Sequence, residues 1–375
     1  MTMPEFRNEP LTDFSQPAAR QAMLDALARV RSEFGRHYPL WIGGRAVDTP
    51  ERIVSTNPGR KTEVVGTVAK ATREHAEQAL AAAWQAFADW SRLPASARAA
   101  VLFRAAAIMR RRKLELAAWE VYEAGKTWPE ADADVAEAID FLEYYGRQAL
   151  RLAEPQPLTP LPGEFNETFY IPLGAGLVIP PWNFPLAILT GTTVGPVVAG
   201  NTVVLKPASN TPVIGAKFME IMMEAGIPAG VINFLPGPGA EVGDYLVAHP
   251  RTRFINFTGS MDVGLRIYEQ AARRQPGQIW LKRVVAEMGG KDAIIVDESA
   301  DLEDAANGIV VSAFGFQGQK CSACSRAIVV DSVYDEVLRR VAEKTEQLRV
   351  GQADDPATQV GPVIDQAAFQ KIMRY

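Results

Sequence analysis

Met23, Leu27, Val30 and Phe34 recur at helical spacing, and Ala76, Ala79, Leu80, Ala83, Phe87 and Trp90 repeat the pattern behind Thr72, a capping residue type. This predicts two amphipathic helices. Between them, 40–42 ahead of Gly43-Gly44 and 62–68 behind Asn57-Pro58-Gly59 read as short strands bounded by turns. Helical spacing resumes over 95–124, stopping at Gly125, and over 131–152. Nothing in this half presents an evident catalytic group.

The connector EPQPLTPLPGEF, with Pro155, Pro157, Pro160 and Pro162, marks a boundary or an extended arm. Beyond it the pattern changes to apolar strands alternating with helices. GLVIPP precedes a helix from about Pro185, TVVLKPA precedes 212–225, GVINFLPG precedes 241–247, and RFINFTGS precedes 262–272. VVAEMGG and DAIIVD follow as further strands. Four apolar strands joined by crossover helices predict an α/β fold with a parallel, doubly wound sheet. Such sheets bind ligands outside the carboxyl ends of their strands.

Composition changes this picture little. A chain of 375 residues exceeds the size of a single core, and 47% hydrophobic with 22% charged residues is that of an ordinary globular protein. The formal charge of -5, without a basic stripe, argues against nucleic acid as a partner. MTMPEFRNEPLTDFS lacks the apolar core of a secretory signal. The run 186–205 is broken by Thr190, Gly191, Thr192, Thr193, Gly195, Pro196 and Gly200, which suits a buried helix and strand better than a membrane span. A cytoplasmic location without membrane contact is expected, where thiols stay reduced and a structural disulfide is not favoured.

The strand ends carry the chemistry. The first runs into Pro180-Pro181-Trp182-Asn183, where Asn183 reads either as a helix cap or as a functional amide. The second ends at Lys206, either a solvated lysine or a donor to a ribose hydroxyl. The third meets Gly237-Pro238-Gly239 and Gly243, one residue too long for the G-x-G-x-x-G dinucleotide pattern. The fourth ends in Phe257-Thr258-Gly259-Ser260 and opens a helix, whose N-terminus suits an anion. Glu287, after three small apolar residues, is expected to be partly buried with a raised pKa, as suits a general base, although backbone donors could equally hold it ionised.

Cys321 and Cys324 form a C-x-x-C. Zinc needs four ligands, and His37, His75 and His249 are scattered, so no metal is expected. A redox pair normally follows a strand and opens a helix, whereas this motif follows the helical AANGIVVSAFGFQGQ and precedes a strand. A single nucleophile remains, with Cys324 a small buried hydrophobe.

Asn183, Lys206, Phe257-Thr258-Gly259-Ser260, Glu287-Met288-Gly289-Gly290-Lys291 and Gly318-Gln319-Lys320-Cys321 together resemble the NAD(P)-dependent aldehyde dehydrogenase superfamily. The match in order and spacing runs from about Phe14 to Tyr375. FRNEPLTDFS, EAGKTWPEADADVAEAIDFLEYY and KCSACSR resemble its delta-1-pyrroline-5-carboxylate dehydrogenase branch, which oxidises glutamate gamma-semialdehyde to glutamate in proline breakdown.

The resemblance implies an aldehyde dehydrogenase-like fold. In it, 1–154 form the helical part of the cofactor-binding domain and 155–169 an oligomerisation arm. Residues 170–286 form a Rossmann-type NAD(P)-binding domain, and 287–375 begin an α/β catalytic domain. Cys321 is implied as nucleophile, Asn183 as oxyanion donor and Glu287 as the base that activates water. NAD contacts are implied at Ile179, Pro180, Pro181, Trp182, Lys206, Ser209, Gly239, Gly243, Phe257, Thr258, Gly259, Ser260, Val263, Met288 and Gly289. Ser322 and Phe184 are implied for the substrate. Ser209 stands where many NAD-specific relatives carry a glutamate, so NADP acceptance is open. A homo-oligomer is expected. The superfamily pattern continues past this point, and the chain stops inside a predicted helix, so a C-terminally incomplete and inactive protein is also expected. Another aldehyde specificity, or a non-catalytic nucleotide-binding fragment, is the alternative.

Overall fold

The computed structural model describes residues 4–374; Met1–Met3 and Tyr375, the end of the predicted last helix, lie outside the described residues. At its centre five strands run parallel in the order Arg283–Glu287, Phe254–Thr258, Ala175–Ile179, Thr202–Leu205 and Ile232–Phe234. Leu40–Ile42 and Arg45–Val47 extend the sheet antiparallel beyond Ile232–Phe234. The predicted 40–42 strand thus belongs to the far side of the main sheet.

Side chains of successive strand residues enter opposite cores. Val203 and Leu205 join a core built from the helices Pro17–Ser32, Ala95–Arg111, Lys113–Ala124, Trp128–Ala153, Ala187–Val198 and Pro212–Glu224. Val204 and Leu177 join the other, with the helices Arg73–Trp90, Asp244–Ala248 and Met261–Ala272. Burial on both faces explains why TVVL and AGLVI are continuously apolar rather than alternating. The doubly wound α/β architecture expected from sequence is present. Its first strand, Ala175–Ile179, has the second on one side and the fourth on the other, so the chain reverses direction there. That reversal opens the crevice in which such sheets take ligands.

The helices start and stop for local reasons. The 95–124 pattern is two helices that break at Arg112, and Gly125, at φ 71°, ends the second in a left-handed cap. Thr127 begins Trp128–Ala153 through a capping box, its N–H donating to Glu130 Oε2 at 2.9 Å, with Pro129 in the first turn.

Helix Pro212–Glu224 is capped from outside by Glu123. Its fully buried carboxylate accepts from Val213 N and Ile214 N, both at 2.8 Å, and from Ser55 Oγ at 2.7 Å. Burial nonetheless pushes its pKa from 4.5 up to about 7. Between those values the folded chain binds more protons than the unfolded chain, so this group lowers stability as pH rises through that window. Glu123→Gln is therefore expected to flatten the pH dependence of urea midpoints between about pH 5 and about pH 8. An unchanged slope in the variant would show that the three donors carry the charge without penalty.

Past the sheet, Asp292–Val296 pairs parallel with Cys324–Val329, and the helices Leu302–Phe314 and Tyr334–Glu346 pack on one face. Ile295 and Ile328 lie exposed on this small sheet. The connector after Glu154 has no regular structure, and Phe165, Phe169, Tyr170 and Ile171 in or next to it are exposed. Among the described residues no helix is long and apolar enough to cross a membrane.

Candidate active site

Parallel pairing brings the predicted strand-end residues to one edge. Thr258 lies opposite Glu287, Phe257 opposite Ile179, and Val178 opposite Leu205. Pro180 is buried, and Pro181, Trp182, Asn183 and Phe184 are half-buried where the first strand leaves the sheet. Lys206 is almost wholly buried, and its Nζ donates only to the Pro207 carbonyl among the described residues, at 3.2 Å. Burial pulls its pKa down to about 8. Its stem runs beside Gly243, where a Cβ would lie 3.5 Å from Lys206 Cε. Gly239–Gly243 forms a single π-helical turn, with Gly239 exposed in open space.

Ser260 is the N-cap of Met261–Ala272; it is exposed and its side chain makes no cap bond. Phe257 is buried, Val263 half-buried, and Gly259 N donates to Glu287 O at 3.0 Å. Met288 packs against Gly264, where a Cβ would meet its Sδ at 2.6 Å. Ser209 and Gly289 are exposed.

Two expectations need correction. Glu287 is exposed rather than partly buried, because its strand is the edge of the sheet and alternates between exposed and half-buried positions along its length. Cys324 is half-buried rather than buried: it opens its strand, and its thiol donates to the Arg326 carbonyl at 3.4 Å.

Cys321 is exposed, just past an unusual turn. Phe316, Gln317 and Gly318 have φ of 48°, 55° and 66°, three consecutive left-handed residues. For the two that are not glycine this costs about 1–2 kcal/mol each, so the surroundings must hold them. Phe316 N donates to Glu130 Oε1 at 2.5 Å, and Gln319 N to Phe316 O at 2.9 Å. The Phe316 ring is buried, 6.3 Å from the Trp182 ring. Among the described residues Asn183 caps no helix, the one that follows it having Leu186 at its N-cap. Its Nδ2 donates to the Gln319 carbonyl at 2.9 Å, joining the first strand end to the cysteine loop. The Cys321 carbonyl faces Gly290, where a Cβ would stand 2.6 Å away, so no larger residue fits there without a shift. Ser322, the next residue in the chain, is exposed.

The helical half, in which the sequence presents no catalytic group, supplies the supports. Lys126, fully buried, donates to Asp134 Oδ2 at 2.5 Å and lies over the Phe184 ring at 4.3 Å and the Phe316 ring at 4.8 Å. Asp134 Oδ1 accepts from Ala187 N at 2.6 Å. Glu120 Oε2 stands 3.9 Å from Lys126 Nζ, and neither Glu120 oxygen has a donor among the described residues. Burial, reinforced by the charge of Asp134, pushes the Glu120 carboxyl well above its ordinary range. That direction favours the neutral carboxyl, which leaves the single negative charge of Asp134 opposite Lys126. Only the T-x-x-E capping pattern at Thr127–Glu130 hints at this in the sequence.

Residues 45–375 match the model of the aldehyde dehydrogenase family. The chain belongs to that family. This aldehyde dehydrogenase is 66% identical over 370 residues to 1-pyrroline-5-carboxylate dehydrogenase of Geobacillus kaustophilus, covering 99% of this chain and 72% of the relative. A solved 1-pyrroline-5-carboxylate dehydrogenase from Thermus with bound NAD superposes at TM-score 0.97 and 60% identity, over 100% of this chain and 73% of that one. The Mycobacterium tuberculosis delta-pyrroline-5-carboxylate dehydrogenase superposes at TM-score 0.92 and 34% identity, over 99% and 70%.

Proposed function

We propose that this aldehyde dehydrogenase oxidises L-glutamate gamma-semialdehyde, formed from 1-pyrroline-5-carboxylate, to L-glutamate with NAD, as in proline breakdown. The observation that carries the reading is the tie between Asn183 and the Cys321 loop at the mouth of the sheet's crevice. The relatives named above supply the substrate class. Residues 170–286 serve the dinucleotide and 287–375 carry the nucleophile, while the 155–169 arm serves self-association. The protein works in the cytoplasm.

The crevice fits a dinucleotide. Lys206 is a buried amine whose only partner among the described residues is its own neighbouring carbonyl, so it is ready to donate to a ribose hydroxyl. Ser260 opens a helix toward a pyrophosphate. Ile179 to Trp182, Gly239, Gly243, Phe257, Thr258, Gly259, Val263, Met288 and Gly289 line the remainder.

The Cys321 thiolate adds to the aldehyde carbon, and Asn183 Nδ2 with the Cys321 N–H stabilises the alkoxide. The chemistry that bound NAD supplies is acceptance of hydride from that carbon, which leaves a thioester on Cys321. Glu287 then takes a proton from water as the water oxygen bonds to the acyl carbon. The carbon–sulfur bond breaks, glutamate leaves, the thiolate is restored, and Glu287 gives its proton up to solvent. An exposed Glu287 suits this step, since water must reach it. Ser322 and Phe184 contact the substrate.

NADH formation from the semialdehyde tests the proposal, and no turnover above that with a simple aliphatic aldehyde would overturn the substrate class. Because exposed Ser209 brings neither repulsion nor positive charge to a 2′-phosphate, NADP is expected to be accepted but not preferred. Steady-state kinetics with both cofactors decide this. Complete rejection of NADP would mean that another group closes the pocket.

A further inference from the structure

We propose that Lys126 is a positioning residue: lodged between the Phe184 and Phe316 rings and tied to Asp134, it holds the 316–318 turn and so sets where Cys321 meets the aldehyde carbon. The inference rests on the reading of Cys321 as nucleophile. A lysine is costly to bury, and among the described residues the carboxyl groups beside this one are Asp134, at 2.5 Å, and Glu120, farther off at 3.9 Å. Its Nζ also faces two aromatic rings within cation–π range. Phe184 adjoins Asn183 in the chain, and Phe316 opens the left-handed turn that leads to Cys321. One amine therefore bridges the two walls between which a substrate carbonyl must sit.

Asp134 extends the grip. The carboxylate that holds Lys126 also accepts from Ala187 N at 2.6 Å, fixing the first turn of the helix that follows Phe184. From the other side Glu130 holds the Phe316 N–H, and Glu130 is itself anchored at the start of the same helix as Asp134. Two non-glycine residues in left-handed conformation persist only where the surroundings over-determine them. Lys126, Asp134 and Glu130 are the groups that do so from beneath. Without the amine the two rings lose their common partner, and the turn is free to relax toward ordinary backbone angles.

The test pairs Lys126→Met with Asp134→Asn in one chain, so that neither member of that pair is left as an unpaired buried charge and the introduced carboxamide keeps an acceptor for Ala187 N. Hydrogen exchange is read at the Phe316 and Gln319 amides against those of Thr202–Leu205, together with kcat, the NAD Kd and the melting temperature. We expect exchange at 316 and 319 to quicken at least about tenfold while the strand is unchanged. We expect kcat to fall about 10- to 100-fold, the scale of a misplacement near 1 Å, with the NAD Kd within about twofold. Exchange at 316 and 319 as slow as in the wild type, or kcat within about twofold of it, would overturn the role. If the paired variant does not fold, Phe316→Leu keeps the buried apolar contact and removes one ring from Lys126, and the same loosening and slowing are expected. Wild-type protein inert toward the semialdehyde would sink the reading of function, and the exchange comparison would still decide whether Lys126 holds the turn.

Discussion

Cys321→Ala is expected to remove semialdehyde oxidation, by roughly 10⁴-fold or more in kcat, whereas Cys324→Ala lowers it only modestly. The two thiols are three positions apart but differ in surroundings. Cys321 is exposed at the end of a turn pinned by Glu130 and tied to Asn183 through the Gln319 carbonyl. Cys324 begins a strand, its N–H donating to Ser312 Oγ at 3.1 Å and its thiol to the Arg326 carbonyl. A thiol engaged along its own strand is poorly placed to attack a carbonyl, and shortening it to a methyl removes little more than packing. Turnover of both variants, with intact mass of enzyme quenched during turnover, separates them: an acyl adduct is expected on the wild type and on Cys324→Ala, and none on Cys321→Ala. Equal and small losses in the two variants would exclude covalent catalysis at this loop.

What can be seen in the sequence, and what cannot, follows from the range of the interactions involved. TVVL and AGLVI announce strands buried on both faces, because continuous apolar runs bounded by turn residues have few other uses. Strand order is another matter. That Ala175–Ile179 lies between the second and fourth strands depends on how two helical layers divide over the sheet, which no short stretch records. Leu40–Ile42 reads correctly as a strand, but its pairing with Phe234 is a tertiary contact.

Glu287 departs from expectation for a related reason. Three small apolar residues before an acid suggest a strand covered on both faces, yet Arg283–Glu287 is an edge strand with Val285 59% exposed. Glu120 and Asp134 escape a reading of the sequence because acids on amphipathic helices usually mark the solvated side, and Lys126 because a lysine in the link between two helices usually does too. Here the helices Lys113–Ala124 and Trp128–Ala153 pack so that all three groups meet in the interior. The motifs proposed to act in catalysis, by contrast, are local in sequence: the Cys321 loop, the Glu287 strand end and the Pro180–Asn183 turn each carry their own pattern.

Asn183→Ala is expected to lower kcat by about 10² to 10³, the usual loss when one oxyanion donor is removed. The structure sharpens this expectation. A carboxamide nitrogen carries two N–H groups, and one of them is spent on the Gln319 carbonyl at 2.9 Å. That bond fixes the plane of the amide, so the second N–H points in one direction, and it has no partner among the described residues. A donor held in advance needs no reorganisation as charge develops on the aldehyde oxygen, which is where such groups gain their effect. The same bond joins Asn183 to the loop, so Asn183→Ala also frees the Gln319 carbonyl. Asn183→Asp keeps the shape but sets an acceptor against both the carbonyl and the alkoxide, so both contributions are lost without loss of volume. Asn183→Asp should therefore be at least as slow as Asn183→Ala, with NAD Kd unaltered in both. If Asn183→Ala loses less than about tenfold in kcat, the amide is only a tether for the loop, and the alkoxide must find its donors elsewhere.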